Sequence, residues 1–154
     1  NTLVEQVVTA HAARAEAAGL SLTFEPGAGL LPVQGDYNQL AQVATNLVAN
    51  AINYTSGGEV RVRTYQLNNR VCLQVQDTGR GIDAEDMPHL FERFYRGQNA
   101  GQLDIPGSGL GLAIVKEIVD LYEGHIEVDS RIGEGSTFRV WLPISNHQSP
   151  TSNL

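Results

Sequence analysis

The sequence predicts an α+β domain, on three observations. Apolar residues recur at helical spacing through 3–18, 40–52 and 110–121. Two pairs of strand-like stretches, 60–67 with 71–77 and 126–130 with 137–142, are separated by turn residues and read as hairpins. A length of 154 residues fits one domain whose core needs neither disulfides nor metals.

Composition narrows the function classes. A net charge of −7 with no basic cluster to offset it excludes nucleic acid as a partner. The single Cys72 excludes an internal disulfide and suits a reducing cytoplasm. No run approaches the ~20 apolar residues of a membrane span, and no signal peptide opens the chain, so no direct membrane contact is expected. The chain opens inside an amphipathic pattern without a methionine, which reads as a piece of something longer.

The elements follow in order. Thr2 and Glu5 offer a capping box to a first helix that Gly19 ends. Residues 21–24 and 31–34 read as short strands around a turn at 27–29. Asp36, three before Gln39, is placed to cap a long helix over 38–54. The hairpin over 60–77 turns at Asn68-Asn69, with Cys72 as inert packing in its second strand. Asp83 is placed to cap a short helix to about Phe91, and 97–106 reads as a flexible loop of the lid kind. The helix after Gly111 has apolar residues round most of its circumference, with Lys116, Glu117, Asp120 and Glu123 on one narrow stripe. It is therefore expected to be buried on nearly all sides. Gly124 ends it, and a Ser/Asn/Pro-rich tail over 145–154 reads as disordered.

Two features carry chemistry. Gly107, Gly109 and Gly111 form a glycine-rich loop that leads into a helix. Bare amides and a positive dipole end there suit an anion, and phosphate is the first suspect. The competing reading is a surface loop before an ordinary core helix, and neither the G-x-x-x-x-G-K-[ST] nor the G-x-G-x-x-G spacing is present. The long helix carries Gln39, Gln42, Asn46, Asn50 and Asn53 opposite its apolar face. Asparagine is a mediocre helix former, so three at i, i+4 and i+7 favour a ligand-facing stripe over a merely solvated one. Amide oxygens are hard ligands suited to magnesium. Asp77 ends a strand beside Gly79 and Gly81, where it can accept from a ligand amine; a plain turn is the alternative.

Together NLVANAINY (46–54), DTGRGI (77–82), FERFYR (91–96) and GSGLGLAIVKEIV (107–119) resemble the N, G1, F and G2 boxes of the catalytic ATP-binding domain of bacterial sensor histidine kinases. GEGSTFRVWLP (133–143) is similar to that family's last hairpin, so the resemblance covers residues 1–144 and leaves 145–154 as tail. It implies the Bergerat fold, a two-layer α/β sandwich. There a mixed, mostly antiparallel sheet carries about three helices on one face, with ATP under a lid.

The resemblance also implies roles. Asn50 would ligate Mg2+, with Asn46 beside it. Asp77 would accept from the adenine amino group, and Gly81 would let the base approach. Asn53, Tyr54, Gly79, Ile82 and Tyr95 would line the nucleotide pocket, and Arg93 or Arg96 would reach phosphate. Gly107, Gly109, Leu110, Gly111 and Leu112 would meet the phosphates at the helix start. Asn53 departs from the many relatives with Lys or Arg, which implies one cationic phosphate contact fewer. Hydrolytic relatives carry Glu where Asn46 stands, and a carboxamide cannot take a proton, so a kinase is implied over a GHKL-type ATPase. The F and G2 boxes lean away from an anti-sigma-factor-like serine kinase, and the intact Asn50 and Asp77 away from a degenerate binding module.

No histidine fits the family's phosphoacceptor pattern: His11 precedes Ala12 rather than an acid, and His89, His125 and His147 fail likewise. The implied partners are therefore ATP, a dimerisation/phosphoacceptor domain of the same kinase and a cognate response regulator. The implied location is the cytoplasm.

Overall fold

A computed structural model of the chain describes residues 1–93 and 111–145. Its elements are α1 (Thr2–Ala17), β1 (Leu20–Glu25), α2 (Tyr37–Asn53), β2 (Gly58–Leu67), β3 (Arg70–Asp77), a 3-10 turn (Met87–His89), α3 (Gly111–Leu121), β4 (His125–Arg131) and β5 (Gly135–Pro143). The strands form one sheet in the order β1-β2-β3-β5-β4. β1 runs parallel to β2, and every other pairing is antiparallel. The β2–β3 hairpin closes through Asn68, whose φ of 56° is the left-handed conformation asparagine tolerates.

Strand periodicity places the core. Val60 and Val62, Val75, and Phe138 and Val140 alternate onto one face of the sheet, in register across β2, β3 and β5. Against them pack Val4 and Val7 of α1, Val43, Leu47, Val48, Ala51 and Ile52 of α2, and Val115, Ile118 and Val119 of α3. All three helices therefore cover the same side, giving two layers. Each such buried side chain larger than alanine contributes about 1.5–3 kcal/mol. On the other face Cys72 is fully buried between its register neighbours Tyr65 and Trp141, whose rings meet edge to face at 5.7 Å. Burial pushes its thiol up, which fits inert packing.

Four local expectations are corrected. The capping box does not form. Asn1 takes the cap position, Thr2 is already helical, and the Asn1 amide donates instead to the Gly27 carbonyl at 2.8 Å. Residues 31–34 make one bridge, Val33 to Ile144, because Pro32 has no N–H to extend a ladder. The helix expected over 83–91 shrinks to the 3-10 turn. Pro88 would sit in the helix interior, where it removes a bond and clashes with the preceding turn. α3 is buried on one side only: Leu121 is 61% exposed, and Leu112 and Ile114 are half-buried.

The cap expected of Asp36 is present, its side chain accepting from the Gln39 amide at 2.9 Å. Among the described residues no helix is long and apolar enough to cross a membrane.

Candidate functional site

The site begins where α2 stops. Tyr54 N–H still donates to the Asn50 carbonyl, and the Thr55 hydroxyl donates to the Ala51 carbonyl at 2.7 Å, so the last turn is held closed. β3 runs alongside and ends at Asp77. The chain then folds back onto α2, with the Arg80 amide donating to the Tyr54 carbonyl at 3.3 Å.

Only glycine fits this contact: a Cβ on Gly79 would stand 2.2 Å from the Tyr54 carbonyl oxygen. Gly81 has a φ of +77°, and a Cβ there would stand 2.0 Å from the Arg131 carbonyl oxygen. Protein backbone thus already fills the space beside Gly81. The Ile82 amide donates to the Ser130 hydroxyl at 2.7 Å, so the loop is clamped between the end of α2 and the end of β4.

Asp77 is the buried acid of this junction, 5% exposed. Its Oδ1 accepts from the Gly79 amide at 2.9 Å and the Ser136 amide at 3.2 Å. Among the described residues nothing bonds to Oδ2. Burial pushes the carboxyl above the ordinary range, and the two amide bonds pull it part of the way back.

Three residues of the polar stripe of α2, Gln39, Asn46 and Asn53, are tied to neighbouring elements. Gln39 accepts from the Tyr122 hydroxyl, whose oxygen also receives the Asp36 amide at 3.0 Å, so that end ties α2 to the end of α3. Asn46 donates to the Gly111 carbonyl at 3.1 Å, tying mid-α2 to the start of α3. Asn53 accepts from the Arg14 guanidinium of α1. Asn50 lies between these two ties, half-buried, and its side chain makes no hydrogen bond among the described residues. The Arg80 guanidinium lies 5.8 Å from the centroid of the Tyr54 ring.

Asn46, Asn50, Asn53, Tyr54, Asp77, Gly79, Gly81 and Ile82 thus belong to one continuous junction, and Gly111 and Leu112 open α3 at its edge. Arg93 is paired with Glu117 of α3 on the surface. Tyr95, Arg96, Gly107, Gly109 and Leu110, the loop over 97–106 and the tail beyond Ser145 lie outside the described residues. Sequence reasoning missed Ser136, whose amide aligns Asp77, and Arg14. The first is found only through the β3–β5 register, and the second has no local signal 39 residues from Asn53.

Residues 35–146 match the family model described as histidine kinase-, DNA gyrase B- and HSP90-like ATPase. The chain belongs to this family. Within it, the histidine kinase ATPase domain is the form it takes. The circadian input-output histidine kinase CikA of Synechococcus elongatus is 39% identical over 111 residues, covering 71% of this chain and 15% of that protein. Sensor histidine kinase RppB of Synechocystis is 37% identical over 145 residues, covering 94% and 32%. The chain thus spans a third or less of these curated relatives.

Among solved structures, full-length ShkA in complex with AMPPNP superposes with a TM-score of 0.82 at 28% identity, covering 94% of this chain and 30% of that one. The catalytic domain of histidine kinase ThkA gives 0.79 at 27% identity, covering 93% and 92%. The ATPase domain is therefore a Bergerat fold, as the sequence led one to expect.

Proposed function

We propose that this ATPase domain binds Mg·ATP at the end of α2 and presents the γ-phosphoryl group to a histidine on a dimerisation/phosphoacceptor domain. That domain would pass the phosphoryl group on to a cognate response regulator, all in the cytoplasm. The observation that carries the reading is the contact between Gly79 and the Tyr54 carbonyl. It sets buried Asp77 against the same helix end that bears Asn50.

The roles follow from the chemistry of each group. Asp77 keeps Oδ2 for a donor, and the exocyclic amine of adenine is such a donor, so Asp77 would select adenine over guanine. Tyr54 and Ile82 flank the base. Asn50 carries an unengaged hard oxygen that fits Mg2+, which takes few protein ligands and keeps waters and substrate phosphates. Accordingly no carboxylate cage is required, and no group of three His, Cys, Asp or Glu able to hold a metal ion occurs among the described residues. The ion, when bound, would neutralise the triphosphate and lower the charge opposing attack. Arg93, released from Glu117, Arg96, and the amides opening α3 at Gly111 and Leu112 would hold the phosphates, with Gly107, Gly109 and Leu110 before them.

The transfer itself asks little covalent chemistry of the protein. An imidazole nitrogen attacks the γ-phosphorus in line, the β–γ bridging bond breaks and ADP leaves. This chain's share is positioning and charge neutralisation. Asn46 has its amide committed to Gly111 and no basic oxygen able to take a proton, so it does not activate water for hydrolysis.

A calorimetric titration tests the reading. ATP should bind with a magnesium-dependent increment while GTP binds far more weakly, and a supplied phosphoacceptor domain should become labelled from γ-labelled ATP. Equal binding of GTP, or no binding of ATP, overturns it.

A further inference from the structure

We infer that Arg14 of α1 is a nucleotide-binding residue that brings positive charge to the phosphate chain from outside the helices bearing the rest of the site. The inference rests on the reading above.

Most basic residues of the described chain are neutralised by a carboxylate. Arg61 pairs with Glu25 and Glu59, Arg63 with Glu25, Arg93 with Glu117, Lys116 with Asp120 and Arg139 with Asp129. Arg14, Arg70, Arg80 and Arg131 have no carboxylate within 4.0 Å among the described residues. Two of these four, Arg14 and Arg80, touch adjacent positions, Asn53 and Tyr54, at the one helix end where the site is built. In a chain of net charge −7, two carboxylate-free guanidinia at a single junction are the complement of an anion.

Arg14 lies in the last turn of α1, where a cation is favoured by the helix dipole. The dipole accounts for its presence on α1. It does not account for the reach across to α2, where the guanidinium donates to a neutral amide oxygen on the same stripe as Asn46 and Asn50. A guanidinium has five N–H donors, and the Asn53 bond occupies one nitrogen. The rest can face an anion bound along the stripe. Asn53 thus acts as a tether: it carries no charge itself but holds one at the position it occupies.

The test compares ATP, ADP and adenosine binding to the wild-type chain and to Arg14→Gln, with thermal midpoints measured alongside. ATP and ADP should weaken by about two- to fivefold while adenosine holds, the size expected of one solvent-exposed charge contact. Wild-type ATP binding should lose more affinity with added salt than the variant's. Arg14→Lys should retain most of the affinity. Asn53→Lys combined with Arg14→Gln should restore it by seating the cation on α2. If wild-type binds ATP and Arg14→Gln binds ATP and ADP equally well, Arg14 is no ligand. A loss shared by adenosine assigns it to the fold and equally overturns the inference. Failure of the wild-type itself to bind ATP would instead sink the functional reading beneath it.

Discussion

The side-chain amide of Asn46 donates to the Gly111 carbonyl oxygen at 3.1 Å, joining the middle of α2 to the first residue of α3. The bond sets the spacing between the helix that bears Asn50 and the helix start assigned to phosphate. Apolar side chains of both helices meet in the shared core, and this polar tie is added at the start of α3.

Asn46→Asp is therefore expected to cost more than Asn46→Ala. Alanine removes the bond, at about 1 kcal/mol, whereas aspartate turns an acceptor against the carbonyl, at about 1–3 kcal/mol. Urea unfolding measures both. Equal stability of the aspartate variant and wild type would show that the bond fixes nothing. Magnesium-dependent ATP affinity should fall in both variants.

Asp77→Asn should move stability and affinity in opposite directions. Burial raises the folded carboxyl above its unfolded value, so between the two the folded state binds the extra proton and stability falls as pH rises through that window. At neutral pH the ionised group is thus a cost to the nucleotide-free fold. Asparagine still accepts from Gly79 and Ser136 through its oxygen but carries no charge. The variant's melting midpoint at pH 7 should equal or exceed the wild-type one and lose that part of its pH dependence. Adenine-nucleotide binding should weaken about tenfold or more, for loss of a charged hydrogen bond. A variant that binds ADP as wild type does would remove Asp77 from the base site.

Much of this was legible in the sequence, for local reasons. α2 was marked by 3.6-residue spacing with Asp36 at its head, and the hairpins by alternation and turn residues such as Asn68. What differs is also local in cause: Pro88 and Pro32 break elements that periodicity alone extends, and α3 leaves Leu121 exposed because apolar composition does not say which side of the helix faces solvent. The parallel pairing of β1 with β2 was not readable, because no strand pattern names its partner. Within the site, motif order supplied Asn50 and Asp77, whereas Ser136 and Arg14 reach it only through tertiary contacts.

The glycines divide by what surrounds them. Gly79→Ala sets a Cβ 2.2 Å from the Tyr54 carbonyl oxygen, and Gly81→Ala combines a φ of +77° with a 2.0 Å clash at Arg131. Each should destabilise by about 1–3 kcal/mol and part Asp77 from the end of α2, weakening ATP as a consequence. At Gly111 the nearest atom to a built Cβ among the described residues is 3.9 Å away, in the Asn46 side chain. Gly111→Ala should therefore fold as well as wild type or up to about 1 kcal/mol better. Any ATP loss it shows then belongs to the ligand contact. Thermal unfolding and ATP titration of the three variants separate the two classes.

The chain alone should take no label from γ-labelled ATP. Transfer needs an acceptor imidazole, and no histidine of this chain is followed by the acid of the family's phosphoacceptor pattern; each described one also engages a neighbour through one ring nitrogen. His11 lies on α1 with Nδ1 2.9 Å from the Val7 carbonyl oxygen, His89 holds Glu92 at 2.7 Å, and His125 stands on β4 at 4.0 Å from Glu127. His147 lies outside the described residues, and like the others it has no acid after it. Adding a phosphoacceptor domain from a sensor histidine kinase should give acid-labile, base-stable label on that domain, the stability pattern of a phosphoramidate. The label should disappear with Asn50→Ala. Label on this chain in the absence of any partner would mean that one of its own histidines reaches the γ-phosphoryl group, and the division of labour between positioning domain and acceptor domain would have to be abandoned.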